Sequence, residues 1–456
     1  MKTKLLSCLL ASALLSSPLQ AADMDKVRQA IADPKGMAAP GCVAGAFRNG
    51  TTLFVTSSGA ADIAAGKPLD GDTLFYAASV SKQFTALAVA ILATRNKIDL
   101  DADVRKYLPD LPAYEVPVTV RMLLNMTSGI RDSLEVLRLA GVTDWSGTKK
   151  DTAVKLLYRQ KETNFRPGTD YRYSNGAYLL LAELVERVSG MPFADFAKLS
   201  ILKPLGMERS HFLNDHRPSV ANVAHGYVLK DDIYEIRDTY PSFSGSGGLM
   251  LSVNDLARFD HDIAVGHKVW TPAVRKILLE PGKFADGKPV MIGDSGLAYA
   301  AGLMVGQRRG QYYVGHGGGA EAFRHMYARL PERGLGVAVF CNRADKDPQQ
   351  QSDAVMNAVE ANILAAPEAA GPTSAKPDGR YASEELMATY DIVTAGDQLT
   401  ANVSSPFVTE ATKFEFTRKG DKWEGAYGSA LAFDSDGQGF TISSERAKAI
   451  RFRRMD

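Results

Sequence analysis

The chain has 456 residues, more than one hydrophobic core usually organises, so two folded units are expected. Apolar residues make up 45% and charged residues 23%, which excludes a disordered or fibrous protein. Lys and Arg number 53 against 52 Asp and Glu, and a net charge of +1 excludes the field of a nucleic-acid or membrane-surface binder; a small-molecule or peptide substrate fits better.

Lys2 and Lys4 precede the apolar residues 5–15, and small or polar residues follow to Ala21 and Ala22. That order is a secretory signal peptide, expected over residues 1–21 with cleavage near Ala21 or Ala22. The stretch is too short to span a bilayer, and no later one is long and apolar enough. An exported, periplasmic chain with no membrane anchor after cleavage is expected. Leu5-Leu6-Ser7-Cys8 faintly resembles a lipoprotein box, but it comes before any adequate apolar region and is not read as one. Removing the signal leaves Cys42 and Cys341, which either pair in an oxidising compartment or stay as buried thiols. Neither has the spacing of a metal site, and no metal or other cofactor is expected.

Residues 24–32 read as a short amphipathic helix. A β-hairpin follows, with Asn49-Gly50 at its turn after the apolar run Cys42-Val43-Ala44-Gly45-Ala46-Phe47. Residues 79–95 turn helical, with Phe84, Leu87, Ala88, Ile91 and Leu92 at three- and four-residue spacing. Helical periodicity dominates residues 104–278. Strand-like runs return at 297–305, 311–314, 323–330 and 336–340, before a helix at 349–364. This order predicts an α+β domain over residues 22–366: an antiparallel sheet built from both chain ends, flanked by helices, with a mostly helical insert. Residues 367–378 lie in a Pro-, Ala- and Gly-rich linker. Residues 379–456 form a small antiparallel β module. Alternating runs stand at 398–403, 413–418, 423–427 and 449–453, with turns at Gly420-Asp421 and Asp436-Gly437.

Three motifs carry chemistry. Ser79-Val80-Ser81-Lys82 is an S-x-x-K whose two side chains meet on a helix. A Ser hydroxyl needs a base within reach to act as nucleophile, and a desolvated Lys can lose its proton and serve. The spacing alone says little, because Ser146-x-x-Lys149 and Ser200-x-x-Lys203 share it. Only Ser79 heads a strongly apolar helix, whose free N–H groups suit an oxyanion; the bland alternative is a helix N-cap. Tyr173-Ser174-Asn175 is the one Y-x-N among seventeen tyrosines. Its phenol can shuttle a proton and its amide can hold a carbonyl; otherwise Tyr173 is packed and Asn175 caps the next helix. His316-Gly317-Gly318, followed by Gly319, is the one H-x-G among seven histidines. Its glycines remove side chains where another backbone or a ligand comes close, unless the segment is simply a Gly-rich turn.

Together and in this order, the three motifs resemble the active-site-serine, penicillin-recognising hydrolases. That family includes class C β-lactamases, D-alanyl-D-alanine carboxypeptidases, D-aminopeptidases and esterases. Further segments share the resemblance, notably Phe75-Tyr76-Ala77-Ala78, Leu123-Leu124-Asn125-Met126-Thr127-Ser128-Gly129, Phe165-Arg166-Pro167-Gly168 and Gly247-Gly248-Leu249. The C-terminal module resembles the lipocalin-like β-barrels that some members carry. The resemblance implies an acyl-enzyme on Ser79, with Lys82 and Tyr173 activating it and relaying protons. It further implies that Asn175 binds the substrate amide, and that the N–H groups of Ser79 and Gly319 form the oxyanion hole beside Gly318. His316 takes the place of a Lys or His on an edge strand lining the site. His-Gly-Gly replaces the Lys-Thr-Gly of β-lactamases, which moves the chain toward peptidases and esterases, with D-amino-acid peptides or peptidoglycan fragments the leading expectation. A small ester, a β-lactam or a non-catalytic penicillin-binding sensor are the alternatives. Glu321 stands near the strand's mouth, where it either pairs with a substrate ammonium or is a solvated surface carboxylate. In the family's sheet the first and last strands are antiparallel neighbours, so Cys42 and Cys341 are expected within about 7 Å, close enough to bridge.

Overall fold

The computed structural model describes residues 22–142, 148–214, 221–293, 295–366, 377–384, 386–406, 409–419, 422–425, 429–434, 436–443 and 450–455. The expected signal peptide, linker residues 367–376 and the Gly420-Asp421 turn lie outside the described residues.

Asn49 and Gly50 both take left-handed backbone, with φ of 49° and 77°, as a two-residue hairpin turn requires. They join β1 (Cys42–Arg48) to β2 (Thr51–Ser58). Five further strands complete the main sheet: β3 (Leu297–Tyr299), β4 (Met304–Arg308), β5 (Gln311–Ala320), β6 (Phe323–Leu330) and β7 (Leu335–Cys341). The order is β3-β4-β5-β6-β7-β1-β2, antiparallel throughout, so the two chain ends meet where β1 pairs with β7. The expected α+β architecture is the observed one.

Helices cover both faces of this sheet. The ones used below are α1 (Met24–Ile31), α2 (Ser81–Thr94), α3 (Asn175–Ser189), α4 (Pro272–Leu279) and α5 (Pro348–Val359). Val43 and Phe47 of β1 join the core containing α2 and α3, while Cys42, Ala44 and Ala46 join a second core with Val27, Ile31 and Val355. A strand buried on both faces reads as an unbroken apolar run. Residues 81–92 of α2 are all buried, so this helix is apolar on every side rather than along one stripe.

Some boundaries differ from the sequence reading. Residues 297–305 split into β3 and β4, because Ala300 N–H turns back to the Leu303 carbonyl. The run 311–314 continues to Ala320, since pairing with β6 overrides the poor strand propensity of four glycines. Three small sheets among the described residues were not read as sheets: Ala60–Asp62 with Lys67–Pro68, the strand-like Phe75–Tyr76 with Leu249–Leu251 and His211–Phe212, and Tyr227–Lys230 with Ile233–Ile236. The C-terminal module is a closed eight-stranded barrel between Gly379 and Arg454, with Tyr381, Tyr390, Phe416, Trp423 and Phe440 inside. No helix among the described residues is long and apolar enough to cross a membrane.

Cys42 and Cys341 face each other in register across β1 and β7 and form a disulfide, with Cα atoms 4.0 Å apart. The bond closes a sequence separation of 299 residues and restrains the unfolded chain. Replacing both cysteines by Ala is expected to cost about 2–4 kcal/mol of unfolding free energy. Denaturant titration of the oxidised protein and the double variant measures it, and coincident midpoints with equal slopes would count against a stabilising bridge.

Candidate active site

The chain reaches Ser79 through a strand–turn–helix. After Tyr76, Ala78 is held in the left-handed region at φ 46°, a strained conformation for a residue with a Cβ, and Ser79 sits in the single 3₁₀ turn that feeds α2. Lys82 follows one turn later with no exposed surface. Its Nζ lies 3.0 Å from Ser79 Oγ, 2.8 Å from Asn175 Oδ1 and 2.7 Å from the Ser246 carbonyl oxygen. Burial pushes its pKa down from 10.5 to about 7, against the opposing pull of the Asp132 charge.

Those three partners decide where a neutral amine points. Asn175 Nδ2 donates to Asp132 Oδ2 at 2.9 Å, which fixes Oδ1 toward Lys82 as an acceptor. The Ser246 carbonyl is an acceptor by nature. A neutral amine has two protons and one lone pair, so both protons are taken and the lone pair faces Ser79, the only partner with a proton to give.

Ser174, not Asn175, caps α3 by accepting from the Ala177 N–H at 3.1 Å. Asn175 is thereby the first helical residue, its own N–H held by Asp132 Oδ2 at 2.8 Å. The Tyr173 ring packs against Lys82, with Nζ 4.8 Å from its centroid. Ser79, Lys82, Tyr173 and Asn175 thus share one locus.

His316 lies on the stretch of β5 that runs past its β4 partner, where the strand is a sheet edge. β5 is the third strand of the sheet, and only the part beyond Gly315 outruns its β4 partner. The imidazole is 5% exposed and lies behind the wall of the cleft, with Nδ1 bonded to the Gly317 carbonyl and Nε2 3.2 Å from Tyr299 Oη. Burial first, then the Lys82 charge, lowers its pKa to about 4, so it is neutral near pH 7. The enclosed ring braces Tyr299, whose ring lies edge-on to Tyr173 at 6.2 Å.

Gly318 permits a close crossing. A Cβ there would stand 2.4 Å from the Ala77 carbonyl oxygen and 3.1 Å from Val80, on either side of Ser79. Gly319, by contrast, has room for a Cβ, its nearest neighbour Arg324 Nη1 at 3.9 Å, and lines a cleft of about 1340 Å³ with Ser79, Tyr173, Asn175 and Glu321. Glu321 belongs to the exposed turn between β5 and β6, where its Oε2 accepts from Thr239 Oγ1 at 2.8 Å. The sequence reading missed Asp132, the Ser246 carbonyl and Tyr299. Asp132 is legible as a helix cap, because Oδ1 accepts from the N–H groups of Leu134 and Glu135, but its grip on Asn175 spans 43 residues.

Residues 27–361 match the Beta-lactamase family. The chain belongs to that family. Among its members this sequence is 28% identical to Penicillin-binding protein 4* of Bacillus subtilis over 340 residues, covering 71% of this chain and 72% of that protein. It is 28% identical to a D-aminopeptidase of Cereibacter sphaeroides over 361 residues, 77% of this chain but only 65% of that one. The solved octameric penicillin-binding protein homologue from Pyrococcus abyssi shares the fold, with a TM-score of 0.66 at 22% identity, over 94% of this chain and 97% of its own. Among the described residues no group of His, Cys, Asp and Glu could hold a metal.

Two outcomes follow for this Beta-lactamase-family site. Labelling of Ser79 by a fluorophosphonate is expected to fall about tenfold per pH unit below about 7, where Lys82 takes up a proton and its lone pair is lost. In Asp132→Asn the charge that raises the Lys82 pKa is gone, so this limb moves to lower pH; a limb that stays or moves up contradicts the assignment. Gly318→Ala is expected to reduce the labelling rate at least about 100-fold, because misplacing reacting atoms by about 1 Å costs that much. A folded Gly318→Ala protein that labels at the wild-type rate would show that the crossing at Ala77 does not position Ser79.

Proposed function

We propose that this chain is an exported, periplasmic hydrolase that cleaves amide or ester bonds through an acyl-enzyme on Ser79, acting on D-amino-acid peptides or peptidoglycan fragments. The observation that carries the reading is the Lys82 amine, held by two acceptors so that its lone pair faces Ser79 Oγ at 3.0 Å. The family is one of serine hydrolases, and the D-aminopeptidase among the relatives supports the D-amino-acid class.

In this mechanism Lys82 takes the Ser79 proton as Oγ attacks the substrate carbonyl. The N–H groups of Ser79 and Gly319 receive the developing oxyanion. Collapse breaks the bond to the leaving group, which gains a proton by way of Lys82 and Tyr173. Water then attacks the ester on Ser79, its proton passing to the same base, and the acid product leaves with Ser79 restored. Asn175 holds the substrate amide at the cleft wall. Leu134, Val228, Ile236 and Phe243 supply apolar surface in the same cleft.

Glu321 supplies selectivity in this reading, because Thr239 orients its carboxylate on the cleft wall where a free substrate ammonium can reach it. Fluorophosphonate or fluorescent penicillin is expected to label Ser79 of the wild type and to leave Ser79→Ala unlabelled. Failure to label the wild type would leave the sensor alternative standing. A panel of D-amino-acid amides, neutral esters and cephalosporins then ranks the substrate classes. Glu321→Gln is expected to lower kcat/KM on the amine-bearing amides alone, by about 10- to 100-fold for a pair worth about 1.4–2.7 kcal/mol. Equal losses on amides and esters, or none, would reduce Glu321 to a surface carboxylate.

A further inference from the structure

We propose that a second ligand site, for a small carboxylate with an apolar body, lies beside the catalytic helix in a cavity separate from the Ser79 cleft. The cavity measures about 140 Å³ and shares no lining residue with that cleft. Its walls come from α2, α4, β5, β6 and the segment after the helix Val253–His261.

Two buried donors in this cavity lack acceptors. Gln83 is 1% exposed and Trp270 3% exposed, and neither Gln83 Nε2 nor Trp270 Nε1 has a hydrogen-bond partner among the described residues. Buried donors without acceptors are rare in native proteins, and two on the lining residues of one small cavity are an unmet demand for an acceptor. Arg275 stands exposed at the mouth with no carboxylate partner among the described residues, and Arg329 lies within, bound to Asp260. Asp260, behind the wall, neutralises Arg329 and also accepts from Tyr327, so the uncompensated charge on the lining is that of Arg275. No Asp or Glu lines the cavity. The remaining surface is largely apolar, with Ile263, Leu279, Leu303 and Val314 contributing. A cavity of this size accommodates a molecule near benzene in volume, and the donors select an anionic acceptor head.

Ile263 belongs to a π-helical turn, Asp262–Gly266, an irregularity that recurs at functional sites. Gln83 directly follows Lys82, and Gly315, also on the wall, directly precedes His316. An occupant therefore touches the immediate neighbours of Lys82 and of His316, which braces Tyr299, without entering the cleft. The site stands on these observations alone and does not depend on the substrate proposed above.

Calorimetric titration of benzoate and benzamide into Ser79→Ala protein tests it without any turnover. Benzoate is expected to bind saturably in the millimolar range, and benzamide about tenfold more weakly for want of the charge. Arg275→Gln, at the exposed mouth, is expected to weaken benzoate about tenfold, and Trp270→Phe about fivefold, while Glu321→Gln leaves it unchanged. Absence of saturable benzoate binding overturns the proposal. So does benzoate affinity that is unchanged in both Arg275→Gln and Trp270→Phe, or a benzoate-soaked crystal in which only ordered water bridges Gln83 and Trp270. Should Trp270→Phe fail to fold, Arg275→Gln still decides.

Discussion

A lysine with no exposed surface needs acceptors for its protons, and the residues gathered around Lys82 are arranged to supply them. Burial makes the charged form expensive, the Asp132 carboxylate gives part of that cost back, and the balance leaves the amine able to gain or lose a proton near neutral pH. Each of its hydrogen bonds depends on another part of the fold. Asn175 is aimed by Asp132, Asp132 is fixed by capping the helix Ser133–Leu139, and the Ser246 carbonyl is presented by the loop before Leu249–Leu251. Ser79 is placed by a strained Ala78 that a chain free to relax would avoid.

The sheet supplies the rigidity behind this arrangement. β5 passes close enough to Ala77 that only a glycine fits at 318, so the strand and the Ser79 turn hold each other in place. β6 adds a second tie, because His325 Nε2 lies 2.9 Å from the Tyr76 carbonyl oxygen and its ring stacks on Phe340 at 4.4 Å. The pairing of β1 with β7, sealed by Cys42 and Cys341, joins the segment before the helical insert to the segment after it. Such a disulfide persists in an oxidising compartment.

What the sequence shows plainly is what depends on near neighbours. Ser79 and Lys82 meet because three residues make about one helical turn, and Asn49-Gly50 makes its hairpin through the φ values of two residues. Spacing alone does not distinguish Ser200-x-x-Lys203, whose lysine proves exposed; burial does, and burial is a property of the fold. His316 illustrates the same limit. Its motif is readable, yet its lowered pKa follows from enclosure and from the charge of Lys82, more than 230 positions earlier in the chain. In the barrel, four strands show as alternating runs, while the closing pair Tyr381 and Arg454 lies 73 residues apart and leaves no local signature.

The central claim is that Lys82 is a lysine that titrates near neutrality beside Ser79. Its side-chain nitrogen can be followed directly by NMR in the intact protein with ¹⁵N-labelled lysine, Lys82→Met assigning the resonance. A midpoint at about 7, moving lower in Asp132→Asn, is the predicted result. A midpoint near the ordinary 10.5 would contradict it, because the amine would then stay charged at neutral pH with no lone pair to take the Ser79 proton.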